Sequence, residues 1–483
     1  MERLLLANVF RFAKFCQPRR AWPTSLLLAG LLATQALQAE PVTGSDLVPV
    51  QFATQMQTAN NQQFATLQGP ASEWWRDFSD QELDQLIRQA LQANPDLQIA
   101  SARLQQAQAL WQGADADYKP QLQAGAELKG MRDPTSTPMS HSRSLGLRAS
   151  WELDIFARGK ALMSAAEADA AGQRYALELT QLMLAADVAS AYYEIRMLVQ
   201  RQQLLDQAIN LAQRQFEVAE RKFAAGSSTA LDADRWRSEL AQERANLAQL
   251  RSQQQVRMRQ LAILLGQREL PALSGLNTTI SNALTTQFPA TPANKLDASL
   301  IERRPDVQRQ ARALDAALAR AGLARRDLYP NLSFSWSGSR DRLQSGSDAS
   351  VSGFSLGYGL TLSLPILDGG RIRTNIAIHD ARVQEAQADY DKALLAALVD
   401  VDSCWQQATD SIEIYQQWLK ASQASELAAN RAERLYQAGA SDVSAVLDAR
   451  RADLKARDAL VQASAARWQT AIALRRAFAG APV

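Results

Sequence analysis

The chain has 483 residues, 47% of them hydrophobic and 21% charged, with a formal net charge of +2 and a mean hydropathy of −0.26. That balance describes a folded protein, and because no run of roughly 18 apolar residues occurs, it excludes a bundle of membrane-spanning helices. Two cysteines (Cys16, Cys404) and two distant histidines (His141, His379) exclude a disulfide framework, a thiolate metal cluster and a nucleophile–base pair, so no catalytic residue, metal or cofactor is expected.

The N-terminus carries Arg3, Arg11, Lys14, Arg19 and Arg20, then an apolar stretch from Leu26 to Leu37, then Ala36-Leu37-Gln38-Ala39. A basic region, a short apolar core and small residues before a cut predict a secretory signal peptide over 1–39. Its removal takes away those five basic residues and Glu2, turning the net charge from +2 to −2, so a basic nucleic-acid surface is not indicated. Residues 40–82 read as a polar leader and flank segment ending in Trp74-Trp75-Arg76-Asp77-Phe78. Asp80 is placed to cap a helix whose Leu83, Leu86, Ile87 and Ala90 recur at helical spacing.

A second helix is expected from about Asp96 until Pro120 removes a donor. There the period changes from 3.6 to 2: Leu122, Ala124, Ala126 and Leu128 alternate with polar residues. A Ser/Thr/Pro-rich tip runs from about Met131 to Ser142, and Leu145, Leu147, Ala149, Trp151 and Leu153 alternate on the return. A long helix over about 160–223, a turn at 224–230 and a returning helix complete a unit spanning 83–266. A connector rich in Pro, Thr, Ser and Asn covers 267–296.

Residues 297–480 repeat the unit, and 481–483 form a tail. Pro95 to Pro120 and Pro305 to Pro330 have the same separation, about 210 residues apart. Leu332, Phe334 and Trp336 alternate with serines before a Gly/Ser/Asp tip at about Ser339–Gly353, and Phe354 through Leu364 alternate on the way back. A proline-free helix over about 371–436, a turn at 437–443 and a returning helix follow. A duplication at this period means one structural unit built twice.

Strands of roughly ten residues with one apolar face, one small polar face and a polar tip match transmembrane β-barrel hairpins. Four strands cannot close a barrel, and an open edge in lipid leaves backbone groups unpaired. An oligomer is therefore expected, two copies giving eight strands and three giving twelve with a passage.

The duplicated pattern resembles the TolC-like outer-membrane efflux proteins, in particular the OprM/NodT-type factors. The resemblance runs from about Trp74 to Gly480. It is carried by Trp74-Trp75 with Phe78, by Trp151-Glu152-Leu153-Asp154-Ile155-Phe156 and by Glu302-Arg303-Arg304-Pro305-Asp306. Tyr329-Pro330 and Leu364-Pro365-Ile366-Leu367-Asp368-Gly369-Gly370-Arg371 complete it. The resemblance implies an α+β membrane protein: a trimeric, 12-stranded β-barrel with four strands per chain, continued by a long α-helical barrel. It implies an outer-membrane location reaching into the periplasm, and a passive duct in a tripartite efflux pump for small toxic compounds or drugs. Its partners would be two further copies, outer-membrane lipid, a periplasmic adaptor (membrane fusion protein) and an inner-membrane pump of the resistance-nodulation-division type.

Relatives close the periplasmic tip with a polar network, which maps onto Asp448 and Arg451, with Tyr436 before the turn and Asp232 and Arg235 as first-copy counterparts. Gly226, Ser227, Gly439 and Ser441 would meet the adaptor. Three copies of an acid around a narrow axis would form a cation-attracting ring. Two departures stand out: Ala36 to Glu40 offers no lipidation cysteine, and Ser444 stands where some relatives have leucine. A duct for secreted polypeptides is the alternative within the class. A periplasmic coiled-coil adaptor is the alternative outside it, although adaptors lack duplicated barrel hairpins.

Overall fold

The computed structural model describes residues 73–131, 140–269, 273, 301–345 and 350–479, all within the unit Pro70–Val483. The expected signal peptide and leader, most of the first strand tip, part of the second, most of the connector and the tail lie outside the described residues. A 3-10 turn, Trp74–Phe78, is followed by α1 (Gln81–Ala93), α2 (Pro95–Asp117), β1 (Gln121–Met131), β2 (Ser140–Leu153), α3 (Arg158–Ala224) and α4 (Ala230–Leu264). The order then recurs as α5 (Pro305–Arg326), β3 (Asn331–Ser345), β4 (Val351–Ser363), α6 (Arg371–Gln437) and α7 (Val443–Ala477). Both long helices, α3 and α6, have 67 residues, and both returning helices have 35. At 1.5 Å per residue each long helix carries about 100 Å of length.

Local chemistry sets the boundaries. The Asp80 carboxylate accepts from the Glu82 and Leu83 N–H groups and opens α1. Asn94 does the same for α2, accepting from Asp96 and Leu97. Helix α2 stops short of Pro120, and α5 short of Pro330, because proline has no donor to offer and pushes the residue before it out of helical backbone. At the strand-to-helix junctions, Asp154 accepts from the Gly159 and Lys160 N–H groups. Asp368 accepts likewise from Gly370 and Ile372. These acids satisfy donors that a helix start leaves open and complement its dipole.

The residue before each repeated proline also ties the start of its unit to the end. Asn94 donates to the Leu264 carbonyl at 2.9 Å, at the end of α4. Arg304 donates to the Ala477 carbonyl at 2.9 Å, at the end of α7, while also binding Asp306 at 2.8 Å and Asp400 at 3.0 Å. Both contacts use carbonyls that a helix C-terminus leaves unpaired.

Helix α3 is the hub, packing against α1, α2, α4, α5 and α7, while α6 packs against α5 and α7. An aromatic-rich core lies where α1, α3, α7 and the 3-10 turn meet. Leu83, Ile87, Val188, Ala189 and Ile195 are fully buried there. Trp468 stacks on Tyr193 with centroids 4.4 Å apart, and Phe78 packs on both. Arg475 binds Asp77 at 2.9 Å, and Arg196 binds Asp80 at 2.8 Å, fastening the turn to the bundle.

The four strands form one antiparallel sheet in the order β1-β2-β3-β4, with β2 and β3 joining the two hairpins. Its register aligns the alternation: Leu122, Ala149, Trp336 and Tyr358 form one row, and Ala124, Leu147, Gly338 and Leu356 the next. One face is therefore apolar and open, with Leu128 79%, Phe354 74% and Tyr358 81% exposed. The other face carries rows such as Gln123, Arg148, Ser337 and Gly357. The outer edges of β1 and β4 have no strand partner among the described residues. Among the described residues no helix is long and apolar enough to cross a membrane.

Candidate functional site

Both helical hairpins turn in the same way. Gly226 (φ 73°) and Gly439 (φ 71°) take left-handed backbone just beyond α3 and α6. Each donates to the carbonyl three residues back, Phe223 and Tyr436, at 2.9 Å. The next N–H reaches five residues back, Ser227 to Lys222 at 2.9 Å and Ala440 to Leu435 at 2.8 Å. This double closure satisfies the last helical carbonyls and needs a residue that tolerates positive φ. Gly226, Ser227 and Gly439 are exposed at these turns and Ser441 is half-buried, and the Ser227 hydroxyl donates to the Lys222 carbonyl at 2.9 Å.

The five residues expected in the gate have different surroundings. Asp232 is used locally: it accepts from the Ser228 hydroxyl at 2.6 Å and more weakly from Thr229 at 3.4 Å. The Ser228 hydrogen bond, first among several, holds its carboxyl below the usual carboxylate range. Thr229 is the N-cap residue of α4 but its side chain makes no cap bond; Asp232, in the first turn, instead accepts from the Thr229 backbone N–H. Arg235 is exposed one turn further along. Tyr436 is 45% exposed at the end of α6 with no side-chain partner among the described residues.

Asp448 and Arg451 share a face of α7, yet they do not pair with each other. Each reaches across to the first hairpin. The Asp448 carboxylate accepts from the buried Gln215 of α3 at 3.4 Å, a long bond. Arg451 forms an ion pair with Glu239 of α4 and lies 5.7 Å from the centre of the Trp236 ring. Glu239 and Arg451 line a cleft of about 410 Å³ between α3, α4 and α7. Arg201 of α3 crosses the same cleft to grip Asp458 of α7 with two bonds, at 2.8 and 3.2 Å.

One bridge at the tip was not foreseen. Lys222, in the last turn of α3, binds Asp442, the N-cap residue of α7, at 2.8 Å. That hydrogen bond is the largest influence holding the Asp442 carboxyl below its ordinary range. The partners are 220 residues apart in the chain, so no local pattern could join them. The usable signal was the matched turn geometry: Lys222 sits four residues before one turn glycine, and Asp442 three after the other. Lys222–Asp442, Asp448–Gln215 and Arg451–Glu239 thus form a ladder of polar contacts between the two hairpins, starting at the tip.

Comparison with known proteins gives a consistent result. The family model described as "Outer membrane efflux protein" matches residues 86–267 and again 298–480. The chain is 30% identical over 423 residues to the pyoverdine export outer membrane protein OpmQ of Pseudomonas aeruginosa, covering 84% of this chain and 87% of that protein. It is 27% identical over 419 residues to the cation efflux system protein CusC of Escherichia coli, covering 84% and 88%. Among solved structures, the outer-membrane channel OprN matches with a TM-score of 0.74 and 28% identity, covering 85% of this chain and 92% of that one.

Proposed function

The chain belongs to the outer membrane efflux protein family, and from that premise we infer that it is the outer-membrane channel of an efflux system, reaching from the outer membrane into the periplasm. The observation that carries this reading is the sheet. A largely apolar face spans four strands and ends at two edges without partners among the described residues, in a chain that also holds two 67-residue helices. Backbone groups at such edges cannot stay open in lipid. Three copies would supply twelve strands and join β1 of one copy to β4 of the next, leaving a passage lined by the Gln, Ser, Gly and Arg face. The same threefold operation would bring α3, α4, α6 and α7 into a tube.

The protein performs no chemistry in this scheme; it conducts. The tip is where passage is controlled. Asp448, Arg451, Tyr436, Asp232 and Arg235 lie around it, and the cross-hairpin contacts of Asp448 and Arg451 would keep the two hairpins of each copy drawn together when closed. Opening would exchange these bonds for contacts with water or with a partner. Gly226, Ser227, Gly439 and Ser441 present the tip to a periplasmic adaptor, which links the duct to an inner-membrane pump of the resistance-nodulation-division type. The cargo class is small toxic molecules or drugs, in keeping with relatives named for pyoverdine export and cation efflux.

The deciding experiment deletes the gene in its host and measures tolerance to a panel of small toxic compounds, with complementation. Increased sensitivity restored by the intact gene is expected. Unchanged tolerance together with loss of a secreted polypeptide would replace drug efflux by protein secretion.

A further inference from the structure

The apolar face of the sheet is interrupted at one end by positive charge, and the interruption is ordered. Arg143 on β2 stands directly opposite Arg342 on β3, and Arg340 lies on the same face, opposite Leu145 on one side and Phe354 on the other. Direct opposition puts side chains on the same face, so all three arginines project from the face that carries Leu145, Leu356 and Phe354. All three are exposed. Among the described residues no carboxylate lies within ion-pair distance of any of them; Arg342 donates only to the Ser350 hydroxyl, at 2.9 and 3.2 Å. Like charges facing each other across a strand pair destabilise it unless an anion intervenes.

Their height in the sheet is informative. Arg342 is ten residues along β3 from Leu332. That is roughly 34 Å along a strand, or about 26 Å in height at the usual barrel tilt, which matches an apolar band of about 25 Å. The arginines therefore fall at the rim furthest from the helices, where a charge on the outer face is tolerated. Strands β2 and β3 are the central pair of the sheet, so copies joining at the β1 and β4 edges would leave this patch uncovered.

Resting on the outer-membrane reading above, we propose that Arg143, Arg340 and Arg342 form a binding patch for the phosphates of outer-leaflet lipid headgroups. Guanidinium groups bind phosphate through paired hydrogen bonds, and one phosphate between Arg143 and Arg342 would turn their repulsion into a shared contact.

The test uses the full-length protein purified in mild detergent, with bound lipid counted by native mass spectrometry of the oligomer. Three probes are compared: a bisphosphorylated glucosamine glycolipid, the same lipid without phosphates, and inorganic phosphate. The phosphorylated lipid should bind about ten-fold more tightly than its dephosphorylated form, and inorganic phosphate at equal concentration should not displace it. The triple variant R143Q/R340Q/R342Q should lose the preference, whereas Arg148→Gln on the opposite face should keep it. If the triple variant does not assemble, Arg143→Gln alone should weaken the preference. Retained preference in whichever arginine variant assembles overturns the proposal, and so does full displacement by inorganic phosphate, which would mark a free-anion site. Planar-bilayer conductance separates the two levels of inference. Normal conductance without lipid preference refutes the headgroup patch alone, whereas a wild-type protein that neither assembles nor conducts refutes the channel reading.

Discussion

Arg451 leaves its own helix to reach Glu239, and this decides what its removal does. Arg451→Ala strips a half-buried carboxylate of its partner and loosens α7 from α4, at a cost of about 1–2 kcal/mol. Among the described residues Asp448 makes only a long bond, to Gln215, so Asp448→Ala should leave assembly intact. Both variants should raise single-channel conductance in planar bilayers, Arg451→Ala more than Asp448→Ala; equal and unchanged conductance would remove both residues from the gate. Asp442 adds a dependence on pH. Its folded-state carboxyl is depressed by Lys222, so the bridge is fully present above the ordinary carboxylate range and is lost as pH falls through the depressed value. Conductance should therefore stay flat from neutral pH down to about 4 and rise only below it. Asp442→Asn should abolish that acid-dependent rise. Because Lys222 is partly and Asp442 largely exposed, added salt should weaken the bridge as well. The resemblance to the efflux-protein family pointed to Asp448 and Arg451 as gate candidates, through the stretch from Val446 to Arg451. It could not name Gln215, Glu239 or Lys222, because those partners come from the other half of the chain.

At the scale of elements, the two units reuse a plan with different side chains. Asn94 opens α2 and holds the end of α4, whereas Arg304 at the equivalent place holds the end of α7 and two acids besides. Arg304 is 11% exposed, while Asp306 and Asp400 are about one-third exposed, so the network is partly solvated. Arg304→Ala should cost about 2–4 kcal/mol, less than a fully buried pair would. Asn94→Ala should cost about 1–2 kcal/mol for a lost cap and one hydrogen bond. Thermal loss of the helical circular-dichroism signal should rank the variants in that order, and the reverse ranking would contradict the account. Much at this scale was legible beforehand. The change of period at Pro120 and Pro330 marks where helices give way to strands, and Gly226 and Gly439 mark the turns, because each acts within a few residues of itself. The capping roles of Asp154 and Asp368 were less visible, since each side chain bends forward over a junction whose path must already be known.

For the whole molecule, the proposed barrel requires association. The edges of β1 and β4 and the exposed apolar face together make an isolated copy unfavourable in lipid. The purified protein should migrate as a trimer in mild detergent and shift to monomer only on heating. A monomer that is stable in mild detergent and still inserts into bilayers would contradict the twelve-strand proposal. Helices α3 and α6 bear on the same point. Leu395, Val399, Ile414 and Leu427 of α6 are all more than half exposed, surface that a neighbouring copy would cover.

By itself the sequence determined the kinds of element, their order and their repetition, since periodicity, proline stops and glycine turns depend on near neighbours. It also determined that the strands would carry one apolar face. Which strands pair, that β2 meets β3, that Arg143 faces Arg342, and that α7 grips α3 and α4 rather than itself were decided only by the tertiary structure. These contacts join residues far apart in the chain, and their energy exists only once the chain has closed those distances.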